Sequence, residues 1–210
     1  MEVQKTGTTT LAIKGKDCVI LAADKRTTRG HEVVNRNKAK VISLTNKVMV
    51  TTAGVVSDIQ RIIKIIKAQI KLTELKLGRP ILVKEIVAMI TGMVYGNIRT
   101  PSTIMSITGF IVGGSDVLGN HIYEIGPDGS FQEAEQFTSD GSGGIYAISV
   151  LEDNFKENMS KEDAVALAKR AINISLLKDS ASGNGFLIYS ITKDGSKLEA
   201  DENINTGVKK

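Results

Sequence analysis

The sequence is poor in the residues that build metal centres and disulfide frameworks. It has no tryptophan, one cysteine, two histidines and three prolines. Cys18 has no second cysteine to pair with, and we expect it to be a small buried residue in a strand. His31 and His121 lie far apart, so no group has the ligand spacing of a metal site, and we predict neither a metal nor another cofactor. The acidic residues are spread along the chain and single out no glycosidase-type carboxylate pair.

Long apolar runs are also missing. No stretch of about 18 uninterrupted apolar residues is present, which a membrane-spanning helix would need, and residues 1–7 lack the apolar core of a secretory signal. We therefore expect a cytoplasmic protein that does not bind membranes. The net charge is +4 and aromatic residues make up only 4% of the chain. Since no RNA-binding motif combines aromatic with basic residues, we predict no nucleic-acid partner.

What the sequence does contain is a run of strand patterns followed by helix patterns. Short segments rich in Val, Ile and Thr predict strands at 8–14, 17–23, 40–45 and 47–53. A capping box at Ser57 and Gln60 predicts the start of a helix in which isoleucines recur every four residues beside exposed lysines. Gly78 ends this helix, and a second helix is predicted at 82–97.

The second half of the sequence repeats both kinds of pattern. Strands are predicted at 104–113, at 121–125, after a Pro127-Asp128-Gly129 turn, and finally at 186–192. Ser160 and Asp163 predict the capped start of a long helix that runs to about residue 177. Strands in runs and helices in runs, without regular alternation, favour an α+β fold with antiparallel sheets over a doubly wound parallel fold. With no repeat and no linker, a single domain is predicted.

The glycine-rich segment 140–144 does not match the functional motifs that it superficially suggests. Its order differs from that around a trypsin-type serine, and neither histidine lies in a motif that would supply the base. It also lacks the Gly-Lys-Ser/Thr ending of a phosphate-binding loop. Considered alone, it indicates a flexible turn before a helix.

The beginning of the chain offers a different kind of chemistry. Gly7 is followed by three threonines that lead into a strand, which alone is ordinary because threonine favours strands. Asp24 ends the next strand, Lys40 begins a later one, and Gly54 ends the strand before the first helix. A threonine hydroxyl becomes a good nucleophile when a base takes its proton, and a free α-amine on the same residue can be that base. Its ordinary pKa of about 8 would be lowered by a nearby cation.

These pieces together resemble the β-type subunits of proteasomes, archaeal ones in particular, which are N-terminal nucleophile hydrolases. The matching motifs, in the right order and at the right spacing over nearly the whole chain, are Gly7-Thr8-Thr9-Thr10, Ala22-Ala23-Asp24-Lys25-Arg26, Lys40, Thr52-Ala53-Gly54, Gly141-Ser142-Gly143 and Asp179-Ser180-Ala181-Ser182-Gly183. The resemblance implies a four-layer αββα sandwich of two antiparallel sheets flanked by helices. It also implies that residues 1–7 are a propeptide removed by self-cleavage between Gly7 and Thr8, and that residues 8–210 form one catalytic domain.

The same resemblance assigns roles to individual residues. Thr8 would be the nucleophile of a threonine endopeptidase, Lys40 would lie beside its hydroxyl, and Asp24 would hold Lys40 charged and oriented. The N–H of Gly54 would line the oxyanion hole. A hydrogen-bonded group around the Thr8 amine would consist of Ser142, Asp179 and Ser182.

Substrate contacts are implied as well. Thr28 and Val56 match positions that pair with the substrate backbone as an added strand. The first specificity pocket would be lined by Thr27, Lys38, Ile42, Thr52 and Gln60. Because Thr52 is polar where relatives often have an apolar residue, their substrate preference cannot be transferred to this chain.

Partners follow from the resemblance too. They would be α-type subunits and other β subunits in a stacked α7β7β7α7 barrel, a regulatory ATPase acting through the α ring, and unfolded polypeptide as substrate. The main alternative is a catalytically silent ring subunit, although such subunits usually lose the threonine or the lysine that this chain keeps. The bacterial two-component protease, which also begins with paired threonines, lacks a match to residues 179–183.

Overall fold

Two five-stranded antiparallel sheets form the centre of the computed structural model, which describes residues 7–103 and 105–204. Apart from Gly7, the predicted propeptide lies outside the described residues. The strands are β1 (Thr10–Lys14), β2 (Val19–Asp24), β3 (Thr27–Arg29), β4 (Glu32–Asn35), β5 (Val41–Ser43), β6 (Val48–Gly54), β7 (Thr108–Asp116), β8 (Gly119–Ile125), β9 (Phe131–Glu133), β10 (Phe137–Asp140), β11 (Gly185–Thr192) and β12 (Gly195–Asn203). The helices are α1 (Val56–Leu77), α2 (Val83–Arg99), α3 (Gly144–Asn154) and α4 (Lys161–Lys178).

The strand order brings the start of the chain to the middle of one sheet. The first sheet has the order β10-β1-β2-β11-β12 and the second the order β5-β6-β7-β8-β9, while β3 and β4 form a separate two-stranded ribbon. In the first sheet, Thr10 pairs with Ala23 on one side and with Asp140 on the other. The residues just before β1 therefore lie between the end of β2 and the glycine-rich segment that follows β10.

Alternating side chains divide the interior into three hydrophobic layers, since successive residues of a strand point to opposite faces. On β1, Leu11 and Ile13 pack against α3 and α4, while Ala12 faces the second sheet. On β7, Phe110 and Val112 pack against α1 and α2. The order of layers is therefore helices, sheet, sheet, helices, and the predicted four-layer αββα fold is confirmed.

The first helix begins differently from the prediction. Val55 flanks its N-terminus without a side-chain cap, so Ser57 already lies inside the helix and the predicted capping box of Ser57 and Gln60 is wrong. The N–H of Val55 instead donates to the carbonyl of Ile107, 2.9 Å away. A contact with the residue just before β7 thus fixes where α1 starts. The Ser160 cap of α4 is confirmed, because its hydroxyl accepts a hydrogen bond from the N–H of Asp163 at 3.1 Å.

The predicted strand at 186–192 is present as β11, but it is not the last strand as expected. An additional strand, β12, pairs with it along its full length at the edge of the first sheet. Lys25, which is 2% exposed, attaches this edge to the end of β2. Its ammonium forms an ion pair with Asp201 and donates to the amide oxygen of Asn203 at 2.8 Å. Two residues of the final strand therefore hold the chain next to Asp24.

Two further properties of the described residues concern metals and membranes. None of their helices is both long enough and apolar enough to cross a bilayer. Across 7–103 and 105–204, no group of three or more His, Cys, Asp or Glu side chains is arranged to hold a metal ion. Cys18 is buried and unpaired, as expected for a small core residue, but it lies directly before β2 rather than within the strand.

The isoleucine stripe of α1 gives a direct test of the helix-to-sheet layer. Ile66 is 0% exposed in the core shared by α1, α2 and the second sheet. We expect Ile66→Ala to lower the free energy of unfolding by about 2 to 5 kcal/mol, because it leaves a cavity in a packed core. Lys71 lies on the exposed face of the same helix, and Lys71→Ala should change it by less than about 0.5 kcal/mol. Urea unfolding of the unassembled subunit measures both, and equal effects would contradict the assigned helix face.

Candidate active site

Residues from distant parts of the chain meet at one end of the two sheets. Thr8 precedes β1, Asp24 is the last residue of β2, and Lys40 directly precedes β5. Because β1 and β2 are antiparallel neighbours, the N–H of Asp24 donates to the carbonyl of Thr9 at 3.1 Å. The sheet itself therefore holds the carboxylate of Asp24 beside the start of the chain.

A buried ammonium group is the centre of this arrangement. Lys40 is 5% exposed. Its Nζ lies 2.7 Å from Asp24 Oδ1, 3.0 Å from Thr8 Oγ1 and 3.2 Å from the carbonyl oxygen of Gly7. Burial lowers the pKa of Lys40 below its ordinary value, whereas the charge and hydrogen bond of Asp24 act in the opposite direction. One cation thus contacts both a hydroxyl and the carbonyl of the adjacent peptide bond.

Asp24 is 0% exposed and is held by four donors. Oδ1 accepts from the N–H of Thr9 at 3.0 Å as well as from Lys40. Oδ2 accepts from the N–H groups of Arg26 and Gly183, each at 3.0 Å. A buried carboxylate needs such partners to offset the loss of water. Their directions fix the position of the oxygen that faces Lys40.

The peptide bond between Gly7 and Thr8 is tightly enclosed. The Thr8 hydroxyl donates to the Gly7 carbonyl at 2.6 Å, and the Gly7 N–H donates to Thr28 Oγ1 at 3.0 Å. A Cβ added to Gly7 would lie 1.9 Å from Cβ of Ala181, far inside contact distance. Only glycine fits at this position with the surrounding loop unmoved.

The predicted serine and aspartate residues surround the Thr8 nitrogen in a chain of hydrogen bonds. The hydroxyls of Ser142 and Ser182 both donate to Asp179 Oδ2, each at 2.6 Å. The N–H of Thr8 donates to Ser142 Oγ at 3.2 Å. Ser182 lies 2.7 Å from the hydroxyl of Thr9 rather than contacting Thr8. Only Ser142 of this group therefore touches the Thr8 nitrogen directly.

Gly54 lies at the end of β6 in a backbone conformation that favours glycine. Its φ is +111°, and an added Cβ would lie 2.1 Å from the carbonyl oxygen of Ile107. Gly54 lines a cavity of about 230 Å³ that also contains Thr8 and Lys40. Because Gly54 has no side chain, the backbone of this strand can come close to a group that binds beside the Thr8 hydroxyl.

The same cavity collects six of the seven residues that were predicted to contact substrate. Of these, Thr27, Lys38, Ile42, Thr52, Val56 and Gln60 line it. Thr28 is not among the lining residues, but it holds the N–H of Gly7. Lys64, one turn further along α1 than Gln60, lines the cavity and was not predicted. The helical spacing of Val56, Gln60 and Lys64, four residues apart, was a signal that could have identified it.

Arg26 is another residue for which the sequence suggested no role. Its guanidinium donates to the side chain of Asn184 and to the carbonyl of Ser180, each at 2.8 Å. These bonds brace the loop between α4 and β11, which carries Asp179 and Ser182. Arg26 belongs to the matched motif around Asp24, but no local pattern connects it with a loop so distant in the sequence.

Asp140 is also unexpected, because it places a carboxylate between the two sheets. One of its oxygens accepts a hydrogen bond from the N–H of Gly141 at 2.6 Å. The other oxygen is so close to Gly109 that a Cβ added to this glycine would lie only 2.4 Å from it. Burial raises the pKa of Asp140, and the nearby charge of Glu124 adds to this effect. Asp140 therefore holds the backbone of Gly141 in place, although burying its carboxylate disfavours the charged form.

Comparisons with known proteins give one consistent result. The family model described as "Proteasome subunit" matches residues 4–191, a range that includes every site residue from Gly7 to Ser182. "Proteasome subunit beta" of Methanocorpusculum labreanum is 37% identical over 190 residues, covering 90% of this chain and 88% of that protein. "Proteasome subunit beta 2" of Thermococcus onnurineus is 35% identical over 201 residues, covering 93% and 95%. "Proteasome subunit beta" of Methanocaldococcus jannaschii is 35% identical over 205 residues, covering 97% and 89%.

The raised pKa of Asp140 predicts how stability depends on pH at the glycine-rich loop. The folded chain keeps this proton to a higher pH than the unfolded chain, so the stability associated with Asp140 falls as pH rises through its folded pKa. Asp140→Asn keeps an acceptor for Gly141 without the charge. We expect it to raise the thermal midpoint at pH 8, and to raise it less near pH 4.

Asp128 is the matched control, because its pKa is shifted in the opposite direction to that of Asp140. Hydrogen bonds from Ser130 lower its pKa, so its contribution to stability is present at neutral pH and is lost as pH falls. Asp128→Asn should therefore lower the thermal midpoint more at pH 8 than near pH 4. Thermal unfolding followed by circular dichroism at both pH values measures the two variants. A shift for Asp140→Asn that did not depend on pH would contradict the burial of its charge.

Proposed function

Because the chain belongs to the proteasome subunit family, we propose that it is a catalytic β subunit of a 20S core particle, a threonine-type endopeptidase with Thr8 as nucleophile. The observation that carries the proposal is the set of contacts made by Lys40. Its buried ammonium lies 3.0 Å from the Thr8 hydroxyl and 3.2 Å from the Gly7 carbonyl. The Thr8 hydroxyl and the Gly7 carbonyl that it would attack thus contact the same cation.

These contacts support self-cleavage at the bond between Gly7 and Thr8. The Thr8 oxygen attacks the Gly7 carbonyl carbon, the carbon–nitrogen bond breaks, and the hydroxyl proton passes to the nitrogen. The product is an ester with a free amine on Thr8. Water then hydrolyses the ester to release residues 1–7 and restore the hydroxyl. The Lys40 ammonium stabilises the negative charge that develops on the Gly7 oxygen during the attack.

The new α-amine completes the site for other peptide bonds. It takes the proton of the Thr8 hydroxyl as a general base, and the nearby charge of Lys40 lowers its pKa so that the amine is neutral often enough to do so. Ser142, which already contacts this nitrogen, keeps it oriented together with Asp179 and Ser182. The Gly54 N–H serves the oxyanion hole, where one donor can be worth about 3 kcal/mol.

An extended substrate would pass the site beside Thr28, next to the position now held by Gly7. Thr28 supports this, because it binds the backbone N–H of Gly7 at 3.0 Å. Val56 would pair with the substrate backbone on the other side, and the cavity would receive a side chain from Thr27, Lys38, Ile42, Thr52 and Gln60.

Assembly provides the setting for this activity. Proteasome subunits assemble into a core with other subunits, and we propose the stacked α7β7β7α7 barrel in the cytoplasm for this chain. A regulatory ATPase would deliver unfolded polypeptide through the α ring. Among the described residues, the site includes no structural element that would exclude folded proteins. Confinement inside a barrel therefore suits this nucleophile.

The first test concerns self-cleavage. When the chain is assembled with α-type subunits, intact-mass spectrometry should find it beginning at Thr8. Thr8→Ala should remain uncut, because it removes the attacking oxygen, and it should have no peptidase activity. Thr10→Ala is the control, since among the described residues the Thr10 hydroxyl bonds only the Asp140 carbonyl, and this variant should still be cut. If all assembled wild-type chains kept residues 1–7, the chain would be a silent ring subunit.

The second test concerns Lys40 in a chain that is produced already beginning at Thr8. Lys40→Ala should lower kcat/KM for peptides by about 100-fold or more, because it removes the charge that tunes the nucleophile. Lys40→Arg should fail nearly as badly, since a planar guanidinium cannot replace a compact ammonium held between Thr8 Oγ1 and Asp24 Oδ1. The exposed Lys71→Ala should keep full activity. Normal rates for Lys40→Ala in a folded, assembled particle would refute the mechanism.

A further inference from the structure

The cavity beside Thr8 is positively charged. Three lysines line it, Lys38, Lys40 and Lys64, and none of the described residues on its wall is acidic. Lys40 is neutralised by Asp24, 2.7 Å away. The ammonium groups of Lys38 and Lys64 form no ion pair or hydrogen bond with any part of the chain that the structure describes. Two charges in this cavity are therefore uncompensated.

Both of these lysines border the cavity, Lys38 half-buried and Lys64 exposed. The backbone N–H of Lys38 donates to the carbonyl of Lys25 at 2.9 Å, which fixes the segment before β5. Lys64 lies on α1 two turns beyond Val56, on the stripe of that helix that faces the cavity. Asp58 is two residues from Val56, and at about 100° per residue it points to the opposite side. The acidic residue at the start of α1 therefore does not neutralise the cavity.

The remaining lining groups suit a side chain with an aliphatic stem and a polar end. Ile42, Val56 and Ile59 supply apolar walls. The hydroxyls of Thr27 and Thr52 and the amide of Gln60 supply hydrogen-bonding groups. A carboxylate is the end group that would accept hydrogen bonds from both hydroxyls and ammonium groups, and bonds between charged groups are about twice as strong as neutral ones.

The position of Gly7 indicates which substrate residue would enter. Gly7 precedes the nucleophile and lines the cavity, and its carbonyl is the one within reach of the Thr8 hydroxyl. A substrate carbonyl attacked by the same hydroxyl must lie beside this cavity. A free substrate is not bonded to the Thr8 nitrogen, so its residue need not adopt the orientation of Gly7, whose Cβ direction meets Ala181, and its side chain can enter the cavity instead.

We propose that this cavity selects an acidic side chain, and glutamate above all, on the residue just before the cut bond. The inference rests on the proposed peptidase function and names its substrate class. Lys38 and Lys64 are the specificity-determining residues, since they attract a carboxylate and repel a basic side chain. Lys38 is half-buried and Lys64 is exposed, so salt should partly screen this attraction.

The test uses assembled particles cut at Thr8 and three fluorogenic tetrapeptides that differ only in the last residue, which is Glu, Gln or Lys. Gln has nearly the shape of Glu, so the ratio of the two kcat/KM values isolates the charge. We expect a Glu-to-Gln ratio of about tenfold or more, equivalent to about 1.4 kcal/mol. The Lys peptide should be the poorest of the three. A ratio of one or less would overturn the proposal.

Variants then test the two lysines. Lys38→Met and Lys64→Met keep an unbranched apolar stem, and each should lower the Glu-to-Gln ratio at least threefold, while the double variant should bring it near one. Lys38→Glu should reverse the preference in favour of the Lys peptide. Lys71→Met, on the same helix but away from the cavity, should keep the wild-type ratio. An unchanged ratio in the double variant would overturn the proposal.

Two further measurements separate this inference from the proposed function. An inhibitor that captures an N-terminal threonine should label the wild-type particle. If labelled particles cut the Gln peptide at least as fast as the Glu peptide, only the acidic preference would be overturned. If the particles were neither labelled nor able to cut any peptide, both the acidic preference and the proposed peptidase function would be overturned.

The salt dependence of wild-type particles gives a test that needs no variant to assemble. Raising the salt concentration from 0.05 to about 1 M should lower the Glu-to-Gln ratio, because salt screens the charges. A ratio that did not respond to salt would count against the proposal.

Discussion

A lysine ammonium held away from water beside one carboxylate is the interaction on which the site depends. Removing a charge from water is costly unless a partner and further hydrogen bonds offset the loss. Asp24 offers Lys40 one oxygen, while three backbone N–H groups orient this carboxylate. Those donors come from the residue before β1, from the segment after β2 and from the loop before β11. The ion pair thus forms only where these segments converge. The arrangement of the site therefore requires the complete fold.

Glycines let the backbone close around Thr8 from several sides. Gly141 has a φ of +90°, and a Cβ there would lie 2.3 Å from the carbonyl oxygen of Thr8. Two residues on, the N–H of Gly143 donates to the same carbonyl at 3.1 Å. On the opposite side, Gly7 packs against Ala181 with no room for a side chain. Thr8 is therefore positioned through its main chain, which leaves its hydroxyl to interact with Lys40.

The sequence predicted those parts of the molecule that strong local patterns or matched motifs determine. The α+β class, the isoleucine face of α1 and the Ser160 cap follow from periodicity and capping, and the positions of Asp24 and Lys40 follow from motif spacing. β12 escaped prediction because its residues, GSKLEADEN, are poor strand formers. It is a strand because β11 offers an unpaired edge, and its charged residues suit an edge position. The start of α1 and the role of Arg26 depend on contacts between distant segments, which no local pattern records.

The anchoring of β12 by Lys25 bears on the order in which the protein can mature during synthesis. Lys25 adjoins Asp24, and its partners Asp201 and Asn203 are made nearly two hundred residues after Thr8. The neighbour of β2 in the sheet, β11, is also made late. While the ribosome is still translating, the first residues therefore lack the strands that hold Asp24 in place. The contacts that place Asp24 and Lys40 beside Thr8 can therefore be complete only after the last strands of this sheet have been made.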